Sequence, residues 1–296
     1  MTARGIDVVR AHLSKLPPSA SLTIAERRAQ YERAERVFPT PADVAVEVVA
    51  APDRPAEWLR PPGAGADAAV LYLHGGGYVI GSPRSHRHLA AAIARAAGTA
   101  ALLVDYRLAP EHPFPAALED AVAAYRWLLA RGIAAERVVV AGDSAGGGLT
   151  VATLLALADR RLPRPGGGVC ISPWVDLTGS GATYATRKDA DPIVTRESIT
   201  MMAQAYVGAG DPKAPLVSPL YADLRGLPPL LVQVGSDEVL LDDALGLGER
   251  ARAAGVDVTV EEWPGMIHVW HWFLPMLDEA QQAIDGIGAF VRARLH

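Results

Sequence analysis

The chain has 296 residues, 50% of them hydrophobic and 21% charged, with a formal net charge of -5. That is enough chain to bury a sizeable core, as one large domain or two small ones. Without a basic stripe or a run of like charges, nucleic acid is not an expected partner, and no stretch approaches the ~20 apolar residues of a membrane span.

The first predicted elements are helical. IDVVRAHL (6–13) spaces its apolar residues for a helix, and Thr23 with Glu26 forms a capping-box pattern ahead of TIAERRAQYERAERV (23–37). The cluster from Pro17 to Ser21 separates the two. MTARGIDVVRAHLSK (1–15) has no apolar stretch of leader length, so no signal peptide is expected there. From about residue 43, apolar runs alternate with helical patterns. VAVEVVA (44–50), AAVLYLH (68–74), TAALLVDY (99–106), RVVVAG (137–142), GGVCISP (167–173), LPPLLVQVG (227–235) and VDVTVEEW (256–263) read as strands. Residues 88–98, 117–132, 146–161, 240–255 and 276–295 read as helices between and after them. Cys170 sits inside the strand GGVCISP. As the only cysteine it can form no internal disulfide, so it reads as a small buried hydrophobe in a chain expected to be cytoplasmic.

The alternation predicts an α/β domain with a mostly parallel sheet covered on both faces by helices. Residues 176–226, polar and rich in Gly and Pro, interrupt it and carry one short helix near 196–207. They read as an insertion that packs with the N-terminal helices as a lid over one sheet edge.

Gly142-Asp143-Ser144-Ala145-Gly146 fits G-x-S-x-G. In a glycine-rich chain the pattern alone says little, but here a β-branched strand precedes it and a helix follows. That setting holds a serine outward on a sharp, strained turn, and only small neighbours fit where strand and helix approach. LYLHGGGYVIGS (71–82) adds three glycines after an earlier strand. Such a loop presents backbone N–H groups to the oxyanion of an acyl-transfer intermediate. Gly75, Gly76 and Gly77 with Ala145 are the expected oxyanion hole, Gly76 and Gly77 as loop donors and Gly75 permitting the turn. His74 is expected to hold the loop rather than act as a base.

HGGGYVIGS, DYRLAPEHPFPAALED (105–120), GDSAGG (142–147) and GMIH (265–268) together resemble the bacterial hormone-sensitive-lipase-like, or family IV, carboxylesterases. The resemblance runs over about residues 43–295. It implies an α/β-hydrolase fold with a helical cap, a Ser–acid–His triad, a small ester of short to medium acyl length as substrate, and no cofactor or metal. Residues 1–42 and 176–226 fall where the family builds its cap, leaving 43–175 and 227–296 as the two parts of the core.

Chain order in this fold is Ser, acid, His. The family's GM-x-H falls on His268, leaving His271 to line the pocket with Trp270, Trp272 and Phe273. For the acid, Asp237 is the commoner residue type. The family's D-P-L-x-D, set on Leu240 and Asp242, falls on Glu238, which is the favoured reading. A lactone or amide hydrolase uses the same triad. A non-catalytic receptor of this fold loses the base, and here a histidine occupies that loop. The sequence shows no interface, and a homodimer is compatible with it.

Overall fold

The computed structural model describes residues 5–15, 22–52 and 54–295, so the expected break at 17–21 lies outside the described residues. Among the described residues eight strands form one sheet: β1 (Ala45–Ala50), β2 (Pro55–Arg60), β3 (Ala69–Leu73), β4 (Ala100–Val104), β5 (Val138–Asp143), β6 (Gly167–Ile171), β7 (Leu230–Gly235) and β8 (Val258–Trp263). Their order is β1-β2-β4-β3-β5-β6-β7-β8, antiparallel where β2 meets β1 and β4 and parallel elsewhere. β3 to β7 are buried at every position, which is why they read as unbroken apolar runs.

β2 has no counterpart among the sequence-based elements. PAEWLR puts Glu57 mid-strand, and that carboxylate is buried only because Arg87 Nε reaches it at 2.6 Å. Helices α1 (Gly5–Leu13), α2 (Ile24–Tyr31) and α3 (Ala34–Val37) precede the sheet. The Thr23–Glu26 capping box forms as the sequence indicates. α4 (Pro83–Ala97) starts five residues before the expected 88, because Ser82 caps it and Pro83 occupies its first turn.

α5 (Ala116–Ala130), α6 (Ala145–Asp159) and α9 (Leu241–Ala253) pack with Leu71, Leu73, Val138 and Val140 on one face of the sheet. α4 and α10 (Asp278–Leu295) cover Val70, Tyr72, Val139 and Ala141 on the other. Strand alternation thus divides the core into two layers around the sheet. Between β6 and β7 lie α7 (Thr183–Thr186) and α8 (Arg196–Val207). Tyr206 of α8 stacks on Tyr78 at 3.8 Å, and its carbonyl accepts from Phe114 N. Val9 of α1 packs with Met266, Ile267 and Trp270. Arg28 of α2 donates to the carbonyls of Val79 and Ala109.

Candidate active site

β5 ends in Asp143 and α6 begins at Ala145, so the whole change of direction falls on Ser144. Its φ of 54° and ψ of −120° lie in a region that residues with a side chain rarely adopt. The turn is held from both sides, by Ser144 N donating to Ile171 O (2.8 Å) and Trp174 N donating to Ser144 O (2.9 Å). A Cβ on Gly146 would stand 1.9 Å from Leu73 O, and one on Gly142 2.3 Å from Gly146 O. The flanking positions are glycine because strand and helix are already in backbone contact.

Ser144 Oγ lies 2.9 Å from His268 Nε2, and His268 Nδ1 lies 2.9 Å from Glu238 Oε2. The carboxylate only accepts, so the imidazole proton sits on Nδ1 and Nε2 is left to accept from the serine. Glu238 is fully buried. Its other oxygen accepts from Ser172 Oγ and Gly235 N, each at 2.6 Å. Ser172 Oγ accepts in turn from Val269 N, joining the acid to the loop that carries His268. Burial alone would depress the His268 pKa. The hydrogen bond and charge of Glu238, with the charges of Asp191 and Asp143, outweigh it and raise the pKa above the ordinary 6.5.

Asp237 does not reach the histidine. Its carboxylate takes Arg10 Nη2 of α1 at 2.6 Å and is partly exposed. His271, expected to line the pocket, turns away from it. It is fully buried with Nε2 2.8 Å from Gln233 Oε1, and burial pushes its pKa down to about 3. A ring so depressed stays neutral and donates that Nε2 proton to the amide oxygen. Trp270 and Phe273 likewise pack in the core with Val9 and Leu277.

The glycine loop divides its duties. Gly75 N donates to Asp143 Oδ1 at 3.1 Å, so it is already taken and cannot serve an oxyanion. Gly75 therefore belongs to the turn of the loop and not to its donors, which were expected to be Gly76 and Gly77 with Ala145. Gly76 and Gly77, at φ of 107° and 61°, and Ala145 donate to no acceptor among the described residues. His74, below them, has its pKa pushed down to about 3 by burial and, being neutral, donates Nδ1–H to Gly75 O at 2.7 Å. It is a loop holder, as expected.

Asp143 is the residue whose importance is least visible in the sequence. Fully buried, it receives Tyr72 Oη at 2.8 Å as well as Gly75 N, with His86 Nε2 at 3.4 Å. Burial raises its pKa, but His86 and the Tyr72 hydrogen bond prevail and the net direction is down. The carboxylate therefore ties the nucleophile turn to the glycine loop as an anion. Its place inside the nucleophile turn fits a loop anchor and a solvated turn aspartate equally well in the sequence.

Above the loop, a Cβ on Gly77 would meet Met202 Sδ at 2.1 Å, so α8 lies directly over it. A cavity of about 370 Å³ beside α8 is lined by Trp174, Tyr184 and Ile199 among others, and by none of Ser144, Glu238 or His268. Among the described residues no cluster of His, Cys, Asp and Glu is arranged to hold a metal.

The α/β-hydrolase fold family matches residues 70–272. An esterase of the bacterial hormone-sensitive lipase family superposes with a TM-score of 0.96 over 100% of both chains at 49% identity. The chain belongs to the hormone-sensitive-lipase-like esterases. An acetyl-hydrolase of Streptomyces hygroscopicus is 52% identical over 91% of this chain and 90% of its own. A carboxylesterase/phospholipase of Mycobacterium tuberculosis is 39% identical over 81% of this chain and 67% of its own. This esterase therefore hydrolyses carboxylic esters, and no described helix is long and apolar enough to cross a membrane.

Proposed function

We propose that this esterase works through an acyl-enzyme on Ser144, with His268 as general base and acid and Glu238 as the residue that orients it. The observation that carries the reading is the unbroken chain Ser144 Oγ–His268 Nε2 and His268 Nδ1–Glu238 Oε2, both links 2.9 Å. In the first half-reaction Ser144 Oγ attacks the ester carbonyl carbon as its proton passes to His268 Nε2. The N–H groups of Gly76, Gly77 and Ala145 receive the oxyanion. The intermediate then collapses, and His268 returns the proton to the departing alkoxide. Water repeats the sequence on the acyl-enzyme and frees the acid.

We further propose that α1–α3 and the 176–226 insertion form the cap. Met202 over Gly77 and the Tyr78–Tyr206 stack leave limited room above the oxyanion loop. That crowding and the acetyl-hydrolase relative favour short acyl groups. A cytoplasmic enzyme is part of the same reading, as is a homodimer.

The test is hydrolysis of p-nitrophenyl esters from acetate to decanoate, beside a lactone and an anilide, by wild type and Ser144→Ala. The expected result is a preference for the shortest esters and a loss of about ten-thousandfold or more in the variant. Comparable turnover by the variant would overturn the triad, and a preference for the lactone or anilide would overturn the substrate class.

A further inference from the structure

The two neighbours of Glu238 are held from outside the catalytic core, by different elements. On one side, Arg10 of α1 donates Nη2 to Asp237 Oδ2 (2.6 Å) and Nη1 to the carbonyl of Ala190 in the insertion (2.7 Å). On the other, Asp191 of the insertion accepts Val239 N at 3.0 Å, while its second oxygen accepts from Ile193 N and Val194 N. Asp191 is buried, and all three hydrogen bonds named go to backbone N–H groups. α1 in turn rests through Val9 on Met266, Ile267 and Trp270, the segment that bears His268. One strap thus links the first helix, the insertion, the acid loop and the base loop.

We infer that Arg10 and Asp191 are positioning residues that set Glu238 against His268, so the acid is in register only while α1 and the insertion are docked. This rests on Glu238 being the triad acid. A planar guanidinium suits the task because it spans two acceptors at once, which a lysine ammonium on a flexible stem does not match. The ion pair is partly exposed and contributes little to stability. Its effect therefore falls on geometry, where a small displacement of the acid weakens the hydrogen bond that raises His268.

The test is the pH dependence of kcat and kcat/KM for Arg10→Met, with Arg10→Lys and Glu238→Ala alongside. His268 faces Glu238 and Asp191, both within the strap, Asp143 from the nucleophile turn and the neutral His271. By charge alone, losing the Arg10 cation raises the His268 pKa. Loss of positioning lowers it, so the two effects have opposite sign. Asp191→Asn lowers it by both routes, which makes Arg10 the separating residue. The expected result for Arg10→Met is a three- to tenfold lower kcat with KM nearly unchanged, and an acid limb moved to lower pH. Arg10→Lys is expected to fall between it and wild type. An acid limb that stays or moves up, in a protein with wild-type circular dichroism, overturns the inference. Full activity in Glu238→Ala would instead overturn the triad assignment beneath it.

Discussion

Glu238 and Asp237 are adjacent carboxylates with different fates, and the difference is burial. Glu238 is enclosed, with Ser172, Gly235 and His268 as partners, whereas Asp237 faces Arg10 near the surface. Glu238→Ala is expected to lower kcat by about a thousandfold or more, and Asp237→Ala by less than about tenfold, in steady-state assays on one short ester. His268 must be neutral to accept the serine proton, so activity disappears as pH falls through its pKa. Because that pKa is raised, the acid limb of kcat/KM is expected above pH 6.5, the ordinary value, and Glu238→Gln is expected to move it down. At this scale the sequence was informative where chemistry is local. Ser144 and His268 carry their motifs with them, and so does Glu238 once the family spacing is laid on Leu240 and Asp242. The link from Asp143 to Gly75 spans 68 residues and the one from Arg10 to Asp237 spans 227, so neither leaves a local pattern.

At the scale of elements, β3, β5 and α6 are packed so closely that glycine becomes a structural requirement. A Cβ at Gly146 would sit against the carbonyls of Leu73 and His74, which are backbone atoms and cannot swing away. Gly146→Ala is expected to destabilise the fold by about 3 kcal/mol, read as a lowered urea midpoint. Gly77 differs, because its obstacle is the flexible end of Met202. Gly77→Ala is expected to fold while losing about a hundredfold in kcat, since φ of 61° strains any residue with a Cβ and displaces an oxyanion donor. The buried central strands were legible because each is a continuous apolar run. β2 was not, because its apolar run is broken by Glu57, whose partner Arg87 lies 30 residues ahead. The start of α4 was hidden for a similar reason. Ser85, His86 and His88 look like a polar loop, yet all three are buried.

For the whole molecule, the buried histidines make acid the weak side of the fold. His74 and His271 are pushed down to about 3 and His88 to about 4, in each case first by burial. A histidine depressed in the folded state takes up its proton only on unfolding, so its stabilisation is lost as pH falls below the unfolded value of 6.5. Asp243 opposes this. Burial raises it to about 8, so between its unfolded value and 8 the folded protein holds that extra proton. Asp105 and Asp191, which burial also raises, act in the same sense as Asp243, so the histidines' share of about 1.4 kcal/mol per pH unit each is partly offset, and the unfolding free energy is expected to fall as pH drops through 5. Urea titrations at pH 5.5 and 4.5 check the slope, and a flat profile would contradict it. The most direct measurement for the molecule is intact and peptide mass spectrometry of enzyme quenched in acid during turnover of p-nitrophenyl acetate. A single acetyl group on the peptide bearing Ser144, absent from Ser144→Ala, is the expected result. Steady turnover with the acetyl group on another residue, or undiminished turnover by Ser144→Ala, would contradict catalysis through that serine.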